Sequence, residues 1–289
     1  MNDARTLRER LKPPGPVVDV HVHPFPVRAP GDRGPRGAAD VLLRNADRAG
    51  VTKMVLMNIG TTWSTSPEPD AFRKANDDCL RVRDLAPDRF VPFCYVNPLH
   101  TKESLAEMDR CIAGHGMFGL KLWVALKASD RRVHEVVEKT VALDVPVLQH
   151  AWIKAEGNQP GESGPEDIAA LARAVPHARI IMGHLGGVAL RGIEFLIDLP
   201  NVTVETGGSD PETGIVEAAV RRLGTRRVIF GSDATGRNFG TQLAKVTGAK
   251  ISTEAKKRIL WDNLARLLPE RAGVKPLGGT GPLEEDLAR

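Results

Sequence analysis

Little in this chain points to a nucleic-acid or membrane protein. Aromatic residues make up only 4% of it, too few for the stacking platforms that bind bases. The formal net charge is only +4, and basic residues are interleaved with acidic ones. No apolar run approaches the length of a membrane span, and the N-terminal residues lack the apolar segment of a secretory signal. We therefore expect a cytoplasmic protein that acts on a small molecule.

Cysteine is scarce as well. Cys79, Cys94 and Cys111 form an odd set without C-x-x-C spacing. This pattern argues against a disulfide framework and against a structural zinc site built from cysteines. Reduced thiols in a cytosol fit it best.

A short apolar strand followed by an amphipathic helix recurs along the chain. Strands are expected at Val17 to His23, Lys53 to Asn58, Phe90 to Val96, Gly119 to Val124, Val145 to His150, Arg179 to His184, Asn201 to Thr206 and Arg227 to Asp233. Helices are expected at Ala39 to Ala49, Ala71 to Leu85, Ser104 to Ala113, Arg131 to Leu143, Glu166 to Ala174, Gly214 to Leu223 and Ser252 to Leu268.

This order predicts an α/β fold, a single-domain (β/α)8 TIM barrel over residues 16–271. Residues 1–15 form an N-terminal extension and residues 272–289 a C-terminal tail without periodicity. A doubly wound open sheet is the alternative. It has less support because Pro24-Phe25-Pro26 stands where a glycine-rich dinucleotide fingerprint would follow the first strand.

Histidine or aspartate stands at the end of four of these strands. The first ends in His21 and His23, which point the same way because strand side chains alternate. The fifth, sixth and eighth end in His150, His184 and Asp233. The carboxyl ends of barrel strands share one mouth, so these side chains are expected to meet there. A single histidine would more often be a hydrogen-bonded core residue, but the joint pattern favours a metal site.

The ordered motifs resemble those of the amidohydrolase superfamily, from about Pro16 to Leu268. The motifs are D-V-H-V-H-P, V-L-Q-H, G-H-L-G-G and G-S-D, together with the late helix Ile259 to Leu268. The most similar branch is the amidohydrolase-related group that includes decarboxylases of the aminocarboxymuconate semialdehyde type. A structural role is expected for Asn263 on the late helix.

This resemblance implies a catalytic metal, usually zinc, with manganese, iron or cobalt as alternatives. It implies His21, His23, His150 and Asp233 as the ligands of one ion. His184 would lie beside the water bound to that ion.

Lys121 leaves the number of ions open. Leu120 and Leu122 should face the surrounding helices, which turns Lys121 toward the barrel interior. One branch of the superfamily carries a carboxylated lysine here that bridges two ions, with His150 and His184 then binding the second. The alternative, which we favour, is one ion and an unmodified Lys121 paired with Asp19 or Glu205.

A metal-activated water suggests a hydrolase of an amide, lactone or ester bond, with Asp233 and His184 as catalytic residues. The alternative is a metal-dependent non-oxidative decarboxylase of a small unsaturated or aromatic acid, and a more remote one is a metal-binding barrel without activity. Arginines on the loops that follow the strands predict an acidic small-molecule substrate. A homo-oligomer is possible, but the sequence does not indicate the oligomeric state. The candidate substrate-binding residues are Arg28, Arg36, Trp63, Trp123, Trp152 and Arg237.

Overall fold

A computed structural model describes residues 11–25, 34–208 and 212–277, together with Thr6 and Glu9. Its eight strands are all parallel and follow one another in sequence order around the sheet. The strands are β1 Val18–Val22, β2 Lys53–Met57, β3 Phe90–Tyr95, β4 Leu120–Leu122, β5 Val147–Gln149, β6 Ile180–Met182, β7 Val202–Glu205 and β8 Val228–Ile229.

The sheet closes on itself through a backbone hydrogen bond from Val20 N to Phe230 O at 3.0 Å and a bridge between Val22 and Ala234. The predicted (β/α)8 barrel is therefore confirmed. All eight strands lie inside the ranges expected from the sequence, although they are shorter.

Helices fill the crossovers between the strands, and the described residues form ten of them. They are α1 Gly34–Ala49, α2 Pro69–Leu85, α3 Thr101–Met108, α4 Arg131–Ala142, α5 Pro165–Ala174, α6 Leu185–Glu194, α7 Ile215–Leu223, α8 Phe239–Thr247, α9 Thr253–Lys257 and α10 Asn263–Leu267. Short π-helical segments continue α3 over Asp109–Gly114 and join α9 to α10 over Arg258–Asp262. None of the described helices combines the length and the apolar character that crossing a membrane would need.

Apolar side chains pack in two layers, one on each side of the strands. The outer layer contains Leu120 and Leu122 of β4, which lie against the helices. The inner layer contains Phe93, Leu148 and Ile181. Strands buried on both faces explain the near-continuous apolar runs in the sequence. Cys79, Cys94 and Cys111 are buried and free, so they serve as core residues.

The last helical segments close the end of the barrel where the strands begin. Trp261 and Leu264 join the inner apolar layer. Asn263, which follows the π-helical segment, donates from Nδ2 to Thr225 O at 2.7 Å and to Val228 O at 2.8 Å. Both carbonyls lie where β8 begins, so Asn263 ties the C-terminal helix to the sheet, which agrees with the structural role expected for it.

We predict that Asn263→Ala lowers the free energy of unfolding by about 1–3 kcal/mol, because two buried carbonyls lose their donor. Urea unfolding followed by circular dichroism would measure the loss. Asn263→Asp keeps the acceptor that receives Arg266 Nη1 but removes both donors. It should be at least as destabilising, and an unchanged unfolding midpoint in both variants would contradict the structural role.

Candidate metal centre

Three donor atoms meet at the barrel mouth. His21 on β1 and His23 just after it bring their Nε2 atoms to 3.2 Å from each other. Asp233, which follows β8, places Oδ1 3.8 Å from His21 Nε2 and 3.5 Å from His23 Nε2. All three side chains are buried. The sequence prediction that the ends of strands one and eight converge is therefore met for these residues.

The backbone that carries Asp233 and His184 is left-handed. Their φ angles are 58° and 66°, in a region that only a few per cent of residues other than glycine adopt, aspartate and histidine among them. Such conformations persist at functional sites where the surrounding structure enforces them. Here they turn the chain sharply as it leaves β8 and β6, which brings both side chains over the mouth.

Glycine is required at two motif positions, because another side chain lies too close to the backbone there for a Cβ atom. A Cβ on Gly231 would lie 2.1 Å from Glu205 Oε2, and one on Gly187 would lie 2.6 Å from the ring of Trp152. The glycine of G-S-D therefore leaves room for a buried carboxylate. The last glycine of G-H-L-G-G leaves room for a wall of the cavity.

The Nδ1 atoms of His21 and His23 are already hydrogen-bonded. His21 Nδ1 lies 3.0 Å from Glu205 Oε1, and His23 Nδ1 lies 2.8 Å from Met57 O. Glu205 is held in turn by the backbone N–H groups of His184 and Gly207, each at 2.5 Å. Metal-binding histidines commonly donate their second N–H in this way, which fixes the tautomer that presents the other nitrogen. Both Nε2 atoms are thereby presented to the space beside Asp233.

His150 follows β5 and is also buried, but it does not join the cluster of His21, His23 and Asp233. Its Nε2 lies 2.8 Å from Glu162 Oε1, and Lys154 Nζ lies 2.8 Å from Glu162 Oε2. The ring of His150 is 4.8 Å from the ring of His184. With Nε2 engaged by a carboxylate, Nδ1 is the atom that His150 has left for an ion.

A second donor group consists of His21, His184 and Glu205. His184 Nδ1 is buried without a hydrogen-bond partner and lies 3.9 Å from Glu205 Oε1. His184 thus lies beside the cluster, next to His21 at a ring distance of 4.8 Å. This group shares His21 with the first one, and Glu205 already orients that ring.

The protonation states suit a cation. Burial, together with the charge of Lys121, lowers the pKa of His21 well below its usual value, and burial does the same for His184. Burial alone would raise the pKa of Asp233, but its polar and charged neighbours, among them the cationic Lys121, outweigh burial and lower that pKa. His21 and His184 are therefore neutral and Asp233 is ionised at neutral pH.

The donor set fits one divalent ion. An ion with ligand distances of about 2.1 Å holds tetrahedral donors about 3.4 Å apart, close to the observed separations of His21, His23 and Asp233. Neutral imidazole and carboxylate suit zinc and manganese alike. The buried nitrogen of His184 that lacks a partner adds to the polar surface that an ion would neutralise.

Lys121 points into the barrel, as the alternation on β4 predicts. It is 1% exposed, and its Nζ lies 3.0 Å from His21 Nε2. Burial lowers the pKa of Lys121 to about 8, against the opposite effects of Asp233 and Glu205. Among the described residues, Lys121 forms no ion pair with the two carboxylates proposed from the sequence, Asp19 and Glu205. Asp19 instead accepts from His21 N and Ser232 N, each at 3.0 Å.

A cavity of about 600 Å³ opens above the cluster. Three tryptophans line it, and the rings of Trp63 and Trp123 lie 6.1 Å apart while Trp152 lies 4.8 Å from His184. Arg237 also lines it. Four of the six candidate substrate-binding residues therefore reach the cavity. Arg36 is exposed on the first turn of α1 and is not among the lining residues, and Arg28 lies outside the described residues.

Neither Glu162 nor Lys154 was predicted from the sequence as a residue of the site. Both lie on the loop between β5 and α5, and Glu162 is only 2% exposed although it is a carboxylate on a loop. Hydrogen bonds from His150 and Lys154 outweigh the effect of burial and lower the pKa of Glu162 to about 2. A loop has no periodicity that could reveal an inward side chain, so the sequence carries no signal for this contact.

Residues 18–269 match the family model described as Amidohydrolase. No curated protein matches the chain in sequence. Solved structures do match its fold. The 2,6-dihydroxybenzoate decarboxylase from Rhizobium is 18% identical with a TM-score of 0.69, covering 87% of this chain and 98% of that one.

Two further structures match in the same way. The dihydroxybenzoic acid decarboxylase from Polaromonas sp. JS666, solved with manganese and 2-nitroresorcinol, is 18% identical with a TM-score of 0.68, covering 87% and 96% of the two chains. The 4-oxalomesaconate hydratase from Rhodopseudomonas palustris is 16% identical with a TM-score of 0.65, covering 89% and 97%. At these identities the likeness shows a shared fold.

We predict about one divalent ion per chain, because the described donors converge on one point. Elemental analysis of protein from cells grown with zinc or manganese, with and without added bicarbonate, would count it. His23→Ala should lose the ion, whereas His177→Ala should keep it, because His177 is exposed and precedes β6 at the end of the barrel opposite the mouth. Two ions per chain after growth with bicarbonate would contradict the single site and indicate a carboxylated Lys121.

We predict that Glu162→Gln weakens metal binding about 10- to 100-fold, because the carboxylate that orients His150 is lost. Titration of the chelator-treated protein with manganese would measure the change. Glu156→Gln is the matched control, an exposed glutamate on the same loop, and it should leave the affinity unchanged. Equal affinities for all three proteins would show that His150 does not bind the ion.

Proposed function

The chain belongs to the amidohydrolase family, and we propose that it is a metal-dependent decarboxylase of a small aromatic or unsaturated carboxylic acid. The composition of the cavity supports this proposal most directly. One cluster of metal donors lies on its floor, three tryptophans line it, and Lys121 reaches its floor from β4. Flat apolar walls above a cationic floor suit a planar acid.

The likeness to solved structures supports the same class. Two of the similar structures are decarboxylases of dihydroxybenzoic acids, and the third is a hydratase. Hydrolysis of an amide, lactone or ester, which the sequence favours, has less support, because none of these three proteins is a hydrolase by name. We therefore rank the decarboxylase first and keep hydrolysis as the outcome that would displace it.

We propose His21, His23, His150 and Asp233 as the residues that hold the ion, and zinc or manganese as the ion. Manganese is the metal in the Polaromonas enzyme. When bound, such an ion supplies Lewis acidity that draws electron density from the acid and from a neighbouring oxygen of the substrate.

Decarboxylation breaks the bond between the carboxylate and the adjacent carbon, whose electron pair must then receive a proton. Asp233 is the group to which we assign this proton. It is ionised at rest, so it first accepts a proton from a substrate hydroxyl, which becomes a phenolate or enolate, and it then delivers that proton to the carbon as CO2 leaves. His184 lines the cavity beside Trp152 and is placed to hydrogen bond with a substrate oxygen.

We predict that the metal-loaded protein releases CO2 from 2,6-dihydroxybenzoate or a related hydroxybenzoate, and that a chelator abolishes the release until zinc or manganese is returned. Asp233→Asn should lower turnover about 10²- to 10⁴-fold, since it removes the proton carrier. Asp84→Asn, on an exposed carboxylate paired with Arg83, is the matched control and should keep full turnover. Gas-phase CO2 detection together with chromatography of the product would measure both.

Turnover that survives complete metal removal would refute the metal-dependent mechanism. Hydrolysis of a lactone or amide panel at higher kcat/KM than any acid, with water incorporated into the product, would replace the decarboxylase by a hydrolase.

A further inference from the structure

Lys121 differs from the other lysine that lines the cavity. Lys154 is neutralised by Glu162 at 2.8 Å. Within the described parts of the chain, no carboxylate oxygen lies at ion-pair distance from Lys121 Nζ, although the side chain is 1% exposed. A buried lysine normally requires a partner, because an unpaired charge or N–H group in a protein interior is costly. The described residues therefore provide Lys121 Nζ with no anionic partner.

The nearby carboxylates are committed elsewhere. Glu205 already receives His21 Nδ1 and the backbone N–H groups of His184 and Gly207. Asp233 faces the Nε2 atoms of His21 and His23. Both act on Lys121 only through space. The one hydrogen bond that the side chain of Lys121 makes with a described residue is the 3.0 Å contact to His21 Nε2.

That contact is incompatible with a metal on the same nitrogen. The lone pair of His21 Nε2 is what a divalent ion would use, since Nδ1 is held by Glu205. A nitrogen whose lone pair is bound to a cation no longer accepts a hydrogen bond. Binding the ion therefore takes away the one acceptor that the described residues offer Lys121 Nζ, whether the nitrogen is an amine or an ammonium.

We propose that Lys121 binds the carboxylate of the substrate, beside the metal centre. The proposal rests on the function proposed above and adds a recognition residue to it. An acid that places one carboxylate oxygen at Nζ supplies the missing acceptor, and a charge-assisted bond of this kind discriminates strongly between an acid and its neutral analogue. The substrate class is then a planar acid with its carboxylate directed to the cavity floor and its ring among the tryptophans.

A carbamate on Lys121 would have the opposite chemistry. It would turn the hydrogen-bond donor into an anionic acceptor, which repels a carboxylate and binds a second ion. The two assignments therefore predict opposite preferences between an acid and its amide.

The test compares 2-hydroxybenzoate with 2-hydroxybenzamide, a neutral analogue of similar shape, by calorimetric titration of the manganese-loaded protein. We expect the wild type to prefer the acid. Lys121→Met should weaken binding of the acid about 10- to 100-fold, the range for a hydrogen bond to a charged group, and leave the amide nearly unchanged. Lys154→Met removes a charge that Glu162 already neutralises, so the loss for the acid should be smaller. Metal content, measured in parallel, should stay the same in Lys121→Met.

Three results would overturn the proposal. They are a wild type that binds the amide as tightly as the acid, a Lys121→Met variant that weakens both ligands equally or loses the metal, and a carbamate signal in ¹³C spectra after incubation with labelled bicarbonate. If Lys121→Met does not fold, Lys121→Gln and the acid-to-amide ratio of the wild type decide the question.

The two proposals fail separately. Binding of the acid that depends on Lys121, without CO2 release from any acid, would refute only the decarboxylase. CO2 release without a preference for the acid would refute only the role of Lys121.

Discussion

The barrel mouth is governed by one electrostatic constraint. Two neutral imidazole nitrogens and a carboxylate oxygen lie 3.2–3.8 Å apart with almost no access to water. Like electron pairs at this distance repel one another, so the arrangement is stable only with a cation or with donors between them. In the described structure Lys121 provides a donor, at 3.0 Å from His21 Nε2. The surrounding groups meet this requirement. Glu205 accepts from Nδ1 of His21, a main-chain carbonyl accepts from Nδ1 of His23, and the backbone is left-handed at His184 and Asp233.

The two ends of the barrel differ. The metal donors lie at the carboxyl ends of the strands, whereas the other end is closed by Trp261, Leu264 and the hydrogen bonds of Asn263. The walls of the cavity come from loops that are themselves well anchored. The loop after β5, for example, is tied down by Trp152 N to Ser163 O and Ile153 N to Gly187 O, each at 2.9 Å. A site built on a fixed floor and anchored walls can hold a small planar ligand without a large rearrangement.

Much of the fold and of the metal centre was predictable, because side chains alternate along a strand and all barrel strands end at the same mouth. Parallel strands share one mouth, so the strand-end residues His21, His23 and Asp233 could be expected to meet, and the alternation of Leu120 and Leu122 fixed the direction of Lys121. Contacts made by loops could not be predicted. Glu162 is twelve residues from His150 along the chain, and no pattern in the loop sequence predicts that its carboxylate contacts a histidine. Helices α6 and α8 were not among the helices expected from the sequence, and the close packing around Gly187 is visible only in three dimensions.

The contact between Gly187 and Trp152 links two parts of the sequence that would otherwise diverge independently. The tryptophan forms part of the cavity wall, while the glycine lies in the first turn of α6, which follows His184. A side chain at position 187 is possible only after Trp152 has been replaced by a smaller residue. Replacement of Trp152 by a smaller residue also opens space beside His184. A larger ligand at this wall therefore requires only the replacement of Trp152, whereas a side chain at position 187 requires that replacement first.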